Sequence, residues 1–414
     1  MGGKRVGGYM GIPQIRMRCL TAVVLLLGAA SGFCGDTDFN YGDAGADVSD
    51  IRFYIPATDA APYALPPAMP PPVLKNVILL IGDGMGFAQV SMARAKAVGI
   101  NGRLYMEKLP VQGEITTHSE SGLTDSAAAG TALACGVKTH NKTIGMNAVG
   151  KACQSILEAA KEKGNKTALV VTSTISHATP ASFASHVSGR AMEAEIAAQI
   201  LENKVNVLLG GGRSFWIPKS HKGSKRDDDR NLLEEAASAG YLLVKDAEAL
   251  TKATGDYVLG LFQMNALTTL PPEPALPQMV HAALRLLAGD GKEGGSGFFM
   301  MVEGSQIDWA GHANNSANSI KQVLLFDQAV KMAVDHAMKD GHTLVIVTAD
   351  HETGGLTSHE GDFKWTARGH TDARVPVYAF GPGSDQFSGF MDNTDIPKKI
   401  AALMGIKDFP KIIE

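Results

Sequence analysis

The feature that most constrains the fold is a regular alternation of short apolar segments with helical segments from residue 75 onward. The apolar segments are rich in Val, Ile and Leu, and they cover residues 76–82, 167–173, 205–211, 298–304, 343–349 and 375–381. Helical patterns lie between them, at residues 151–163, 190–203, 231–239, 277–288 and 317–339. Continuous apolar strands separated by helices are typical of a parallel sheet that is covered on both faces. We therefore predict a single large α/β domain with a mostly parallel central sheet and helices on both faces.

Composition divides the 414-residue chain into three regions. Residues 1–32 contain four basic residues, an apolar run too short to span a membrane, and then small residues, which together predict a secretory signal peptide. Residues 33–74 are polar and then proline-rich, which predicts an extended arm or linker. Residues 75–414 form the predicted folded domain, in which the charged segment 212–275 is expected to be an irregular insertion.

Charge and cysteine content exclude several classes of protein. Removal of residues 1–32, which carry four basic and no acidic residues, would lower the net charge from −4 to −8, which speaks against nucleic-acid binding. The predicted signal peptide implies export to the periplasm or the medium. Phe33 before Cys34 is a poor match to a lipidation site, so no lipid anchor is expected. The remaining cysteines, Cys135 and Cys153, form no Cys-x-x-Cys zinc motif, and the sequence leaves open whether they pair.

Polar residues with the chemistry of metal ligands follow four of the predicted strands. In open α/β sheets, ligands bind beyond the carboxyl ends of the strands. A single aspartate after a strand usually caps a helix, but four strands that each deliver oxygen or imidazole groups to one edge predict a metal site. These residues are Asp83, His177, Thr179, Glu303, Asp308, His312, Asp350 and His351.

The spacing of these residues indicates which metals they suit. Asp308 and His312 are four residues apart, so one helical turn would place a carboxylate and an imidazole on the same face, as zinc prefers. The adjacent residues 350–351 can share a metal only if the strand ends before them, and the turn-forming sequence Glu-Thr-Gly-Gly follows immediately. Glu303 and Thr179 offer hard oxygen atoms that match magnesium better.

Ser126 is the candidate nucleophile. It precedes the alanine-rich run 127–134, so it would lie at a helix N-terminus, where free N–H groups and the helix dipole favour an anion such as phosphate. The alternative is that Asp125 or Ser126 is merely the N-cap of this helix. No G-x-S-x-G elbow occurs, and no histidine base is assigned, so this serine would need a metal to lower its pKa.

Seven short segments between residues 76 and 371 together indicate a protein family more specifically than any one of them does alone. In chain order they are NVILLIGDGMG, TDSAAAGTA, HATPASFASHVSGR, LLGGGR, VEGSQIDWAGH, VTADHETGG and GHT. This set resembles the alkaline phosphatase family, in which such motifs occur in the same order. The resemblance implies a catalytic domain over residues 75–414, a serine nucleophile, and phosphate monoesters and inorganic phosphate as ligands. It also implies a homodimer.

The resemblance further implies two zinc ions and one magnesium ion with distinct ligand sets. One zinc ion would be held by Asp308, His312 and His370. The second zinc ion would be held by Asp83, Asp350, His351 and the hydroxyl oxygen of Ser126. Magnesium would be held by Asp83, Thr179 and Glu303, and Arg190 would bind phosphate through its planar guanidinium.

Two positions depart from the best-known periplasmic member of the family. His177 stands where that protein has aspartate, and Trp309 stands where it has lysine; the combination resembles some other bacterial members. Loss of the carboxylate predicts weaker magnesium binding, and loss of the lysine removes an indirect contact to phosphate. Both residues are expected to lie next to the metal ligands rather than among them.

Other activities share part of this residue set. Phosphodiesterases, sulfatases and cofactor-independent mutases of the same superfamily have similar Asp and His ligands. The alanines after Ser126 do not match the C/S-x-P-x-R sequence of sulfatases, and the predicted third metal site and Arg190 speak against the two-metal diesterases and mutases. A non-catalytic binding protein would be expected to lack a ligand or the serine. The sequence therefore predicts a phosphate monoesterase.

Overall fold

The computed structural model describes residues 49–59, 61–64, 73–288 and 297–413. The predicted signal peptide, residues 1–32, and most of the predicted linker lie outside these described residues. Across the described ranges, no helix is both long enough and apolar enough to cross a membrane.

Fourteen strands are present in the described part of the chain, and ten of them form one sheet. In chain order they are β1 (Asn76–Gly82), β2 (Val111–Thr116), β3 (Lys166–Thr174), β4 (Val207–Gly211), β5 (Leu242–Val244), β6 (Val258–Leu261), β7 (Phe298–Gly304), β8 (Thr343–Thr348), β9 (Glu352–Thr353), β10 (Thr357–His359), β11 (Asp362–Lys364), β12 (His370–Thr371), β13 (Val375–Phe380) and β14 (Gly389–Asp392). The large sheet has the order β14-β2-β13-β8-β1-β7-β3-β4-β6-β5. Its pairings are parallel except the two made by β13.

Helices pack against this sheet and bury its central strands completely. They are α1 (Phe87–Val98), α2 (Ser126–Cys135), α3 (Ile156–Glu162), α4 (Ala178–Ala184), α5 (Glu193–Asn203), α6 (Leu232–Ser238), α7 (Ala247–Lys252), α8 (Leu276–Ala288), α9 (Gln306–His312), α10 (Ser316–Asp340) and α11 (Asp395–Leu403). Every residue of β1, β7 and β8 is buried, so both faces of these strands are covered, and most of their side chains are apolar on both faces. The prediction of a mostly parallel α/β domain is confirmed.

Two local expectations from the sequence are wrong. The segment 212–275 is not irregular, because it forms α6 and α7 and adds β5 and β6 to one edge of the large sheet. Two of the three residues of β5 are exposed, so this strand lacks the apolar pattern of the central ones. Helix α3 begins at residue 156 rather than 151, because Ser155 is its N-cap: the backbone N–H of Glu158 donates to the Ser155 hydroxyl (3.1 Å), and the Glu158 carboxylate accepts from the Ser155 N–H (2.8 Å).

The described part of the predicted linker is irregular but packs against the domain. Tyr54 is buried, and its hydroxyl donates to a carboxylate oxygen of Asp327 in α10 (2.7 Å). The same carboxylate accepts the backbone N–H groups of Tyr105 (2.9 Å) and Met106 (2.8 Å). A buried aspartate that accepts three hydrogen bonds therefore attaches this segment to the domain. The boundary at residue 74 stays a prediction.

Candidate metal centre

The strands that precede the predicted ligands are neighbours at the centre of the sheet, in the order β8-β1-β7-β3. Because these strands are parallel, their carboxyl ends lie at the same edge. Asp83 directly follows β1, Glu303 is the penultimate residue of β7, Asp350 follows the end of β8, and His177 follows the end of β3. The sheet topology thus brings together side chains that are up to 267 positions apart in the chain.

Asp308, His312 and His370 form one group of potential metal ligands, with donor atoms that all lie within 4.8 Å of one another. The Asp308 Oδ1 atom is 3.3 Å from His312 Nε2 and 3.5 Å from His370 Nε2. Both histidines donate Nδ1–H to a backbone carbonyl, His312 to Arg368 and His370 to Thr124 (2.9 Å). A carbonyl can only accept, so these bonds fix the tautomer and leave the Nε2 lone pairs directed at the centre.

A second group surrounds His351 and is completely buried. Asp83, Asp308 and His351 offer donor atoms within 4.8 Å of one another. The Nε2 atom of His351 also lies 3.2 Å from Asp350 Oδ2 and 3.2 Å from the Ser126 hydroxyl oxygen. Three oxygens, from Asp83, Asp350 and Ser126, therefore face the same ring nitrogen of His351. In a Ser-His-Asp triad the serine and the aspartate bind opposite nitrogens, so this arrangement fits a shared cation better than a triad.

The third group consists of Asp83, His177 and Glu303, again with donor atoms within 4.8 Å. One carboxylate oxygen of Glu303, Oε2, accepts from the hydroxyls of Ser305 (2.6 Å) and Ser173 (3.2 Å). The carboxylate of Asp350 is held in the same way, because its Oδ1 atom accepts two backbone N–H groups. In both residues, one oxygen is fixed by protein donors and the other is directed at the centre.

Several buried oxygen atoms at this centre have no hydrogen-bond partner among the described residues. Leaving a buried polar atom unsatisfied costs roughly 1–3 kcal/mol, so a cluster of such atoms in a folded protein indicates a missing ligand. Divalent cations would satisfy all of these oxygens at once, and the donor set fits them. The atoms are Oδ1 and Oδ2 of Asp83, Oγ1 of Thr179, Oε1 of Glu303 and Oδ2 of Asp350.

The carboxylates of the centre strongly influence one another. Burial, together with the charges of Asp350, Asp308 and Glu303, raises the pKa of Asp83 well above its usual value. Burial and the neighbouring charge of Asp308 raise the pKa of Asp350 to about 7. Burial also lowers the pKa of His351 well below its usual value, so this ring is neutral. Without cations the cluster would hold protons, whereas bound cations would keep the carboxylates ionised.

The pKa of Asp308 is shifted in the opposite direction from the pKa values of Asp83 and Asp350. Burial opposes its ionisation, but without a cation the protonated rings of His312 and His370 donate from Nε2 to this carboxylate and outweigh burial, which holds the pKa of Asp308 well below its usual value. The hydroxyl of Thr353 also donates to this carboxylate and lies 3.3 Å from His351 Nδ1. Thr353 was not predicted from the sequence, because its only signal is its position two residues after His351.

Ser126 is the first residue of α2, and the N-cap is Asp125. The Asp125 carboxylate accepts the N–H of Ala128 (3.0 Å), so capping does not require the serine hydroxyl. Of the two alternatives, the cap is therefore Asp125, and the hydroxyl of Ser126 is directed at His351. The buried position of Ser126 at the start of this helix places it where an anion is stabilised.

Arg190 connects the nucleophile helix with the third group. Its Nη1 atom is 3.5 Å from an Asp125 oxygen, and its Nη2 atom is 3.1 Å from His177 Nε2. The ring of His177 meets Trp309 edge-on, with 6.0 Å between the ring centroids. His177 therefore lies closer to the cluster than the sequence analysis expected, because it offers a donor atom to the third group.

The protein has the features of a metal-dependent enzyme. Three groups of carboxylate and imidazole donors lie beside a buried serine, at the carboxyl ends of the central strands of a mostly parallel sheet. A sequence model of the family described as "Alkaline phosphatase" matches residues 74–363. Alkaline phosphatase 4 of Bacillus subtilis is 36% identical over 413 residues, which cover 78% of this chain and 87% of that protein. The chain belongs to the alkaline phosphatase family.

Solved structures agree with this assignment. The alkaline phosphatase of the Antarctic bacterium TAB5 superposes with a TM-score of 0.72 at 34% identity, over 81% of this chain and 99% of that one. A variant of the TAB5 enzyme in which a histidine is replaced by aspartate was solved with magnesium bound, and it has the same TM-score, identity and coverage.

Proposed function

We propose that this protein is an alkaline phosphatase that hydrolyses phosphate monoesters through a phosphoserine at Ser126. The observation that carries the proposal is the position of the Ser126 hydroxyl, 3.2 Å from His351 Nε2 and beside buried carboxylate oxygens that need cations. Membership of the alkaline phosphatase family supports the same reaction. The products are inorganic phosphate and an alcohol.

The proposed cofactors are two zinc ions and one magnesium ion. Asp308, His312 and His370 would hold the first zinc ion. Asp83, Asp350, His351 and Ser126 would hold the second. Asp83, Thr179 and Glu303 would hold magnesium, with His177 and Trp309 next to this site.

The protein's own residues bind and orient the phosphate. The first N–H groups and the dipole of α2 favour a phosphate at the hydroxyl of Ser126. Arg190 would hold two phosphate oxygens through its planar fork, and Asp125, 3.5 Å away, keeps the guanidinium on the side of the serine. Bound cations would supply positive charge that favours the ionised hydroxyl and offsets charge on the phosphoryl group. The Ser126 oxygen, having lost its proton, would attack phosphorus as the bond to the ester oxygen breaks, and the leaving alkoxide would take up a proton to become the alcohol. Water would then attack the phosphoserine from the vacated side, break the bond between Ser126 and phosphorus, and release inorganic phosphate.

The experiment that tests this proposal compares an aryl phosphate monoester with the corresponding diester, with the metal-loaded enzyme. We expect release of inorganic phosphate from the monoester and slow or no cleavage of the diester. Faster cleavage of the diester would identify a phosphodiesterase instead. Tight binding of phosphate without turnover of either ester would identify a binding protein.

Replacement of Arg190 by alanine should weaken inhibition by inorganic phosphate. A guanidinium that binds phosphate through charge-assisted hydrogen bonds contributes about 1.5–3 kcal/mol, which corresponds to a roughly 10- to 150-fold higher inhibition constant. Zinc content should stay unchanged, because Arg190 is not among the proposed ligands. The matched control is Arg103→Ala at an exposed position. An unchanged inhibition constant in the Arg190→Ala variant would contradict the phosphate-binding role.

The proposed magnesium site should bind magnesium weakly in this protein. The imidazole of His177 is neutral and is a softer group than a carboxylate, so it suits magnesium less well. We expect His177→Asp to bind magnesium more tightly after chelation and metal titration, and turnover to fall if product release becomes slower. The magnesium-bound TAB5 variant, which also carries aspartate in place of a histidine, supports this expectation. His221→Asp, at an exposed position, is the control for the added charge. Equal magnesium affinities of wild type and His177→Asp would show that His177 does not govern the site.

Export to the periplasm or the medium is part of the proposal, and it depends on residues 1–32. A homodimer is proposed from the family resemblance, and light scattering of the purified protein tests it. The partners are small phosphate monoesters and inorganic phosphate, with no nucleic acid. Residues 75–414 are the proposed catalytic domain.

A further inference from the structure

The buried carboxylate of Glu352 lies directly after the metal-ligand candidate His351 but does not face the metal centre. Only 3% of Glu352 is exposed. Its Oε1 atom accepts from the side-chain amide of Gln89 in α1 (2.7 Å) and from the backbone N–H of Leu356 (3.0 Å). Its Oε2 atom accepts from the backbone N–H of Gly355 (3.1 Å) and from the hydroxyl of Thr371. Four donors from three parts of the chain therefore converge on one side chain.

These donors surround the short ladder that carries two metal-ligand candidates. Strands β9 and β12 pair antiparallel, with Glu352 opposite Thr371 and Thr353 opposite His370. His351 immediately precedes this ladder. The rings of His351 and His370 stack with 3.6 Å between their centroids and 22° between their planes. The Glu352 carboxylate thus ties together the two backbone segments that set the separation of these rings.

Close packing restricts the Glu352 side chain further. A Cβ atom on Gly86, just before α1, would lie 2.5 Å from Cγ of Glu352, so only glycine at position 86 leaves room for it. The amide of Gln89 also donates to the carbonyl of Thr353 (2.9 Å), which links α1 to both residues of β9.

We propose that Glu352 is a positioning residue that fixes the separation of His351 and His370, and so the distance between the two zinc ions that they hold. This inference rests on the proposed function, in which the two histidines belong to different zinc sites. All four groups that donate hydrogen bonds to Glu352 are neutral. Residue 352 must therefore supply two acceptor oxygens at this place, and a negative charge in another position would not be sufficient. Zinc affinity and coordination geometry should both depend on Glu352.

An amide cannot replace this carboxylate. Glutamine has the same shape, but one of its two terminal atoms is a donor. The backbone N–H of Leu356 faces one terminal atom, and the backbone N–H of Gly355 faces the other. In either orientation of the amide, one backbone N–H would face an NH₂ group, and a backbone N–H cannot reverse its polarity. Glu352→Gln should therefore break one of these two backbone hydrogen bonds and displace residues 355–356.

The experiment measures zinc affinity by competition with a chelator and records the absorption spectrum of the Co²⁺-loaded protein, which reports coordination geometry. Glu352→Gln removes the negative charge and keeps the length of the side chain. Glu352→Asp keeps the charge but shortens the side chain, so that its carboxylate no longer reaches all four donors. We expect both variants to bind zinc about 10- to 100-fold more weakly and to change the Co²⁺ spectrum, as is usual when a partner of a metal ligand is lost. The matched control is Glu360→Gln, at an exposed position in the same segment, which should behave as wild type.

Each other outcome is decisive. Wild-type zinc affinity in either Glu352 variant would overturn the proposal. In Glu352→Asp it would show that a charge is sufficient, and in Glu352→Gln it would show that two acceptor oxygens are not required. If the Glu352 variants do not fold, Thr371→Val removes one donor beside His370 at nearly constant volume. It should weaken zinc binding and change the Co²⁺ spectrum, and an unchanged result would overturn the proposal. If the wild-type protein binds no zinc at these histidines, the proposed function fails instead.

Discussion

Replacement of Ser126 by alanine is expected to reduce turnover of an aryl phosphate by several orders of magnitude. The hydroxyl is the only group removed, and its oxygen lies 3.2 Å from His351 Nε2 at the first residue of α2. Helix α2 should remain intact, because its N-cap is Asp125 and alanine is a strong helix former. Steady-state kinetics measure the loss, and the far-ultraviolet circular dichroism spectrum should match that of wild type.

The control for this variant is Ser220→Ala at an exposed position, which should leave turnover unchanged. Zinc content of the Ser126→Ala protein separates loss of the nucleophile from loss of a metal ion. Wild-type turnover in the Ser126→Ala protein would show that another group attacks phosphorus.

Removal of the metal ions should abolish activity and should make the protein less stable as the pH rises. Without cations, burial and the charge of Asp308 raise the pKa of Asp350 to about 7, from an unfolded value near 3.8. The folded state then holds a proton that the unfolded state has lost between about pH 4 and pH 7. The contribution of Asp350 to folding stability therefore falls across this range as the pH rises, by an amount on the order of 4 kcal/mol. Asp83, whose pKa is also raised, adds to the fall, whereas His351, whose pKa is lowered well below its usual value, offsets part of it below about pH 6.5.

Thermal unfolding of the chelated protein at several pH values measures this fall. With zinc and magnesium restored, the fall should disappear, because bound cations keep the carboxylates ionised and bind more tightly as their ligands lose protons. Activity should return with the metals. A chelated protein that hydrolysed monoesters at the normal rate would favour His351 as the base of a metal-free serine enzyme.

The sequence predicted the centre of the fold well, because its strands are buried on both faces. β1, β7 and β8 each contain an unbroken apolar run, at residues 77–81, 298–302 and 344–347, and these runs alternate with helical patterns. The sequence did not predict β2, β5, β6 and β14, which lie at or next to the edges of the large sheet. β2, β5 and β14 contain exposed or half-exposed residues, and β6 has only four residues, so none of them contains a long apolar run. The local sequence predicts a strand reliably only where a long run of residues is buried on both faces of the sheet.

Some residues of the candidate site could also be predicted from the sequence, and others could not. Asp308 and His312 could be paired from helical spacing, and the residues after the central strands could be placed at one edge. His370 could not, because it lies in a two-residue strand far along the chain, and only the family resemblance indicated it. The carbonyls that orient the imidazoles, and the four donors to Glu352, depend on tertiary contacts that leave no pattern in the sequence.

The most direct test of the account is acid quenching of the metal-loaded enzyme during turnover, followed by peptide mapping. The proposed mechanism predicts phosphate covalently bound to the peptide that contains Ser126, at the serine itself, and no such label in the Ser126→Ala variant or in the chelated protein. Phosphate on another residue, or equally rapid hydrolysis by a Ser126→Ala enzyme that never becomes labelled, would contradict it.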